Sequence, residues 1–197
     1  MNILVGCEES GVVRDAFIAR GHFAVSVDLE HASRSLGGWH VQDDVRHYLN
    51  GGWDMGVFFT PCTRLANSSN KWLYVGQKKE NGIDPEQWDV MLHLAELFMA
   101  CYNAPIPRKC NENPIQHSHA RAVIPKYTQI VQPHWFGTPE QKATCLWLQN
   151  LPKLRRRTWI EPPYHQRVWL MSPGPNRQRD RSATNPGMAQ AMAEDWG

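Results

Sequence analysis

Short apolar runs alternate with amphipathic stretches through the first half of the chain. Residues 3–6 form a brief buried-type strand, and residues 11–20 carry helical spacing that ends before Gly21. A second strand is expected over 23–27, ending on Asp28, followed by a brief helix over 45–49. Residues 53–59 give a further strand running into Thr60-Pro61, and 85–102 is the longest helical pattern, with Trp88, Met91, Ala95 and Phe98 on one broad face. Residues 108–111 then predict a strand ending in Glu112-Asn113-Pro114. Strands that alternate with helices imply an α/β fold with a mostly parallel sheet and right-handed crossovers.

The pattern changes in the second half. Residues 130–136 and 144–148 read as strands joined by the turn Gly137-Thr138-Pro139, and Pro186–Trp196 reads as a closing helix rich in Ala and Met. Between them, residues 149–181 are basic and proline-rich with little periodicity. A chain of 197 residues fits a single domain over 1–197. It has no apolar run near the roughly 20 residues that span a bilayer. The opening MNILVG reads as a strand and not a signal peptide, so a cytoplasmic location is the expectation, with no membrane partner.

Charge sharpens this picture. The chain carries a net +2, but residues 149–181 alone carry +6, which leaves −4 for the rest. A basic block on a weakly acidic body suits a polyanion, with Arg155, Arg156, Arg157, Arg177, Arg179 and Arg181 as candidate phosphate contacts. A basic but merely solvated loop is the competing reading. Of the nine tryptophans, Trp135, Trp159 and Trp169 lie in or beside this region and are candidates for stacking on bases, while at least half of the nine are expected in the core. The five cysteines are scattered, with neither CxxC nor HExxH spacing, so no disulfide framework and no metal site is expected.

In parallel α/β sheets the ligand site lies beyond the carboxyl ends of the strands. Here those ends carry Glu8 and Glu9, Asp28, Cys62 and Glu112. Cys62 follows a proline directly after an apolar strand, where a thiol faces a cleft and not a core. The loop Cys7-Glu8-Glu9-Ser10-Gly11 puts two carboxylates where a phosphate cradle would need none. His117 and His119, just past Glu112, are expected to be solvated or capping residues.

These residues resemble the cytosine-C5 methyltransferases. Pro61-Cys62 and Glu112-Asn113 stand like that family's Pro-Cys and Glu-Asn loops after successive strands. Phe136-Gly137-Thr138-Pro139 with Gln141 and Lys142 resembles its Tyr-Gly-Val-Pro…Arg-x-Arg element, and Asn185-Pro186 with the final helix resembles its closing Gly-Asn-x-x-Pro segment. The arrangement is most similar to short, phage-type members. The resemblance implies a Rossmann-like S-adenosylmethionine-dependent methyltransferase fold, a mostly parallel sheet flanked by helices. It implies Cys62 as nucleophile, Glu112 as the acid on the base, and Lys142 and Thr144 beside the pyrimidine. It also implies S-adenosylmethionine held among Cys7, Glu8, Ser10, Gly11, Asp28, Asp44, Pro61 and Asn185.

Three departures accompany the resemblance. Lys142 and Thr144 replace the two arginines, only Gly11 matches the family's glycine-rich first loop, and 149–181 stands in place of a full target-recognition domain. The expected substrate is cytosine C5 in DNA, duplex or single-stranded. A free cytidine nucleotide, or an idle nucleic-acid- or cofactor-binding protein, are the alternatives.

Overall fold

The computed structural model describes residues 1–33, 39–165, 170, 172, 174 and 184–197. Its elements run β1 (Asn2–Gly6), α1 (Val12–Ile18), β2 (Phe23–Asp28), β3 (Trp39–Gln42), β4 (Met55–Phe58), α2 (Pro85–Asn103), β5 (Arg108–Pro114), β6 (Gln129–Val131), β7 (Thr144–Gln149) and α3 (Pro186–Trp196). They build one sheet in the order β3-β2-β1-β4-β5-β7-β6. The first five strands pair in parallel. β7 is antiparallel to both its neighbours, so β6 again runs with the majority.

Both faces of the sheet are covered, as a buried parallel sheet requires. The two-residue period of β1 sends Ile3 and Val5 to one side, with Val13 and Phe17 of α1 and Met188, Met192 and Trp196 of α3. Leu4 goes to the other side, with Phe58 and Cys101, while Met91, Ala95 and Phe98 of α2 pack on Cys145 and Trp147 of β7.

The helix ends follow local rules. α2 starts on Asp84, whose carboxylate accepts from Gln87 N, with Pro85 in the first turn. α3 repeats the device with Asn185 accepting from Met188 N and Pro186 following. Gly187 lets α3 touch the 133–136 turn, since a Cβ there would stand 2.0 Å from the Phe136 carbonyl oxygen.

Several expected boundaries change. β3 adds a strand to those expected; its two end residues are exposed and it has no strong apolar run. Residues 45–48 form a brief helix as expected, of the 3-10 type, whereas 133–136 form a 3-10 turn and not the end of a strand. Pro133 cannot donate to a ladder, which stops β6 at Val131. β5 extends to Pro114, so Glu112 sits inside a strand and not in the loop beyond it. No helix among the described residues is long and apolar enough to cross a membrane.

Candidate functional site

The strand order reverses direction between β1 and β4, which opens a crevice at their carboxyl ends. Two loops leave the sheet there, Cys7–Gly11 from β1 and Phe59–Cys62 from β4, with the end of β5 alongside. Cys62 is half-buried, and its carbonyl closes a tight turn by accepting from Leu65 N and Ala66 N at 2.9 and 3.0 Å.

That turn is sewn to the segment after Glu112. Asn113 Nδ2 donates to Thr60 O at 2.8 Å. Asn67 N donates to Ile115 O at 2.7 Å, and His117 N to Leu65 O at 3.3 Å. His117 Nδ1 accepts from Ala120 N at 3.1 Å, so Nε2 carries the proton and donates to Arg64 O at 2.8 Å. The Cys62 turn and the Glu112 strand end therefore form one fixed body. His117 caps, as expected, but it is buried and not solvated. Burial lowers its pKa and keeps the neutral tautomer that both bonds need. His119 instead meets Tyr74 Oη at 2.9 Å and the edge of Trp88.

The β5–β7 register decides which groups share the Glu112 side. Glu112 lies opposite Leu146 and Pro114 opposite Thr144, so Glu112 and Thr144 are diagonal neighbours on one face. Thr144 is buried and its hydroxyl donates to Lys142 O at 3.2 Å. Burial raises the pKa of Glu112, and the nearby positive charge of Lys142 opposes that rise. The three residues expected beside the pyrimidine are thus brought together.

The other thiols are poor nucleophile candidates. Burial pushes Cys7 and Cys110 well above the normal thiol value, and Cys101 and Cys145 up to about 12.

On the expected cofactor side the placements vary. Asp28 is half-buried at the end of β2; its Oδ1 accepts from Glu30 N at 2.9 Å, and burial raises its pKa. Asp44 caps the 45–48 turn and is gripped by Arg46 at 2.5 Å, which lowers its pKa to about 2. Cys7 adopts a left-handed φ of 57°, and Pro61 is exposed. Asn185 bridges α3 to the 137–139 turn, its Nδ2 donating to Thr138 Oγ1 at 2.7 Å.

Glu8 turns inward. Its Oε1 accepts from Ser10 Oγ and from Val13 N, each at 2.9 Å, which gives α1 a side-chain cap. Its Oε2 is buried without a partner. Gly11, at φ 69°, closes the loop over Arg14, whose guanidinium would lie 2.4 Å from an added Cβ.

Burial raises the Glu8 pKa from 4.5 to about 7. A carboxyl whose folded pKa is raised holds its proton more tightly in the folded state, so stability falls as pH rises through that window. The loss is on the order of 3 kcal/mol and complete above about pH 7. Glu8→Gln keeps the acceptor and supplies a donor at the orphaned position. It is expected to flatten this dependence in urea titrations between pH 5 and about 8. The same pH slope in both proteins would contradict it.

The basic segment is partly structural. Leu154 is buried in the core, and its backbone is clasped by the Gln129 side chain. Arg157 is paired with Asp195 at 2.6 Å and Glu194 at 3.4 Å on α3. Arg155 is exposed, and Arg156 lies 3.9 Å over the ring of Trp159, which is 79% exposed. Trp147 and Trp196 are core residues, and Trp135 packs against the core. Arg177, Arg179, Arg181 and Trp169 lie outside the described residues.

No protein-family model matches the chain, and no curated protein does. Solved structures do. One is an E. coli prophage-encoded protein described as a "putative DNA modification methyltransferase", with a TM-score of 0.50 at 13% identity. The match covers 88% of this chain and 55% of that one, so the chain spans about half its neighbour's length. A second, WbdD bound to a kinase inhibitor, gives a TM-score of 0.43 at 12% identity over 79% of this chain and 37% of that one. The first likeness concerns the fold alone: a mostly parallel mixed sheet with flanking helices.

Proposed function

We propose that this chain is an S-adenosylmethionine-dependent methyltransferase that modifies cytosine at C5 in DNA through a covalent Cys62 adduct. The observation that carries the reading is the fixed pairing of the Cys62 turn with the Glu112 strand end at the carboxyl edge of the sheet. The prophage-encoded neighbour's description as a DNA modification methyltransferase supports the methyl-transfer part of it.

Cytosine C5 is a weak nucleophile until a thiolate adds at C6. In this reading the Cys62 sulfur forms a bond to C6 while protonated Glu112 hydrogen-bonds N3, which offsets the negative charge building on the ring. Burial favours the protonated form of Glu112. Lys142 supplies the positive charge beside it, in place of an arginine, and Thr144 holds the Lys142 backbone. S-adenosylmethionine supplies an electrophilic methyl group. After C5 is methylated, loss of the C5 proton breaks the S–C6 bond and restores the Cys62 thiolate. A base within a duplex must leave the stack to reach Cys62.

The cofactor would be held at the β1–β4 crevice. Asp28 suits the ribose hydroxyls, because its carboxylate is half-buried at a strand end and, among the described residues, only Oδ1 accepts a hydrogen bond. Asp44 would have to exchange Arg46 for the adenine amine. Glu8 acts through α1, ordering the loop that carries Cys7, Ser10 and Gly11. Asn185 fixes α3 against the 137–139 turn, and Pro61 directly precedes Cys62 as an exposed residue. Asp28→Ala is expected to weaken S-adenosylmethionine binding about 10- to 150-fold, the value of one charge-assisted hydrogen bond. Calorimetry that shows no binding by the parent protein at millimolar cofactor would reject this site.

Nucleic-acid contact through the basic segment falls to fewer residues than charge alone implied. Replacing Arg155, Arg156 and Arg157 together by Gln should reduce the salt dependence by about two phosphate contacts, not three. Arg157 is already answered by Asp195 and Glu194. An unchanged slope in salt titrations would remove this segment from the interface.

A further inference from the structure

A second aromatic and cationic cluster stands close to Cys62, outside the basic segment. Trp72 is 42% exposed on the connection between β4 and α2. The Arg64 guanidinium carbon and Lys71 Nζ each lie 5.5 Å from its ring centroid, within cation–π range. Arg64 is two residues beyond Cys62, and its backbone belongs to the body sewn together by His117. Arg64 Nε also donates to Gln87 Oε1 at 2.7 Å, and its Nη1 to Thr63 O at 3.2 Å, so the head group has a set direction. The indole is directed as well: the neighbouring Leu73 is fully buried and anchors the 3-10 turn from which Trp72 projects.

The charge here is not spent internally. Among the described residues no carboxylate forms a salt bridge with Arg64 or Lys71, in contrast to Arg157. Lys78 and Lys79 follow on the same connection. An exposed ring flanked by two unneutralised cations matches the alternation of base and phosphate in a nucleic-acid strand. A ring of this kind stacks on the face of a base, and base faces are offered by unpaired strands and not by intact duplex.

We propose that Trp72, Arg64 and Lys71 form a docking platform for the single strand flanking the target base, the indole stacking on a neighbouring base and the cations meeting its phosphates. The proposal rests on the nucleic-acid methyltransferase reading and narrows its substrate to a strand that is unpaired beside the target, which a free nucleotide cannot supply.

The test is fluorescence anisotropy with a labelled cytosine-containing single strand, alongside its duplex and calorimetry with dCMP. Trp72→Ala is expected to weaken single-strand binding about 5- to 150-fold, the range for one base–aromatic stack, and Trp72→Phe to recover most of it. Lys71→Gln should lower the salt slope for the single strand by about 0.7, one phosphate contact. Binding of dCMP should be the same in all variants. Unchanged single-strand affinity in Trp72→Ala, or a wild-type chain that binds no single strand, would overturn the proposal. So would an equal loss for dCMP, because the cluster would then be acting on the Cys62 site. The catalytic reading stands or falls separately, on covalent trapping at Cys62.

Discussion

A cytosine substrate carrying fluorine at C5 is expected to leave the chain covalently attached through Cys62, as a species that survives denaturation. Fluorine cannot depart as a cation, so the step that frees the sulfur is blocked once the methyl group is in place. The adduct should therefore need S-adenosylmethionine to accumulate in its methylated form. Cys62→Ser should abolish it, since a serine hydroxyl is far less nucleophilic than a thiolate. Substituting Cys7, Cys101, Cys110 or Cys145 should leave it intact, because burial holds all four as thiols. Mass spectrometry of the denatured protein reads the result. Cytosine methylation at full rate by the Cys62→Ser protein would refute the covalent mechanism while leaving the fold untouched. Direct methylation of the amino group uses no enzyme adduct, so the trap also separates the two chemistries.

Glu112→Gln should slow adduct formation about 10²- to 10⁴-fold, the usual weight of a positioned general acid. The amide can hydrogen-bond but cannot deliver a proton to N3. The pH profile adds a second signature. Burial raises the Glu112 pKa above the ordinary carboxylate range, so the active protonated form persists to higher pH and is lost as pH rises through that raised value. Glu112→Gln should lack this descending limb. Lys142→Ala removes the charge that holds the Glu112 pKa down, so it should move the limb to higher pH. A single-turnover rate that is the same in Glu112→Gln as in the wild type would remove Glu112 from the chemistry.

Much of this arrangement could be seen before any tertiary structure. Apolar strand runs end on polar residues, and the period of each run assigns its face, so the parallel strands β1, β2, β4 and β5 and the placement of Asp28, Cys62 and Glu112 toward one edge follow from local pattern. The closing helix Pro186–Trp196 was legible from Asn-Pro at its start and its apolar spacing. Short-range rules act within a few residues, and these features need nothing more.

What lay beyond reach depends on contacts between distant segments. The 63–67 turn is held by residues 115–117, and no spacing in the sequence announces that the bonds run from Asn67 to Ile115 and from His117 to Leu65 and Arg64. The extension of β5 through Glu112 comes from the partner β7, whose register also sets Thr144 on the same face. Charge counting treated Arg157 as available, but the fold brings Asp195 and Glu194 of α3 against it. Lys71 is the sequence neighbour of Trp72, but Arg64 lies eight residues earlier, and only the folded connection sets its guanidinium over the same ring. Local sequence determines which elements form and which face each one buries. Which charges cancel, which side chains are fixed and which remain exposed is decided by segments that meet only when the sheet closes.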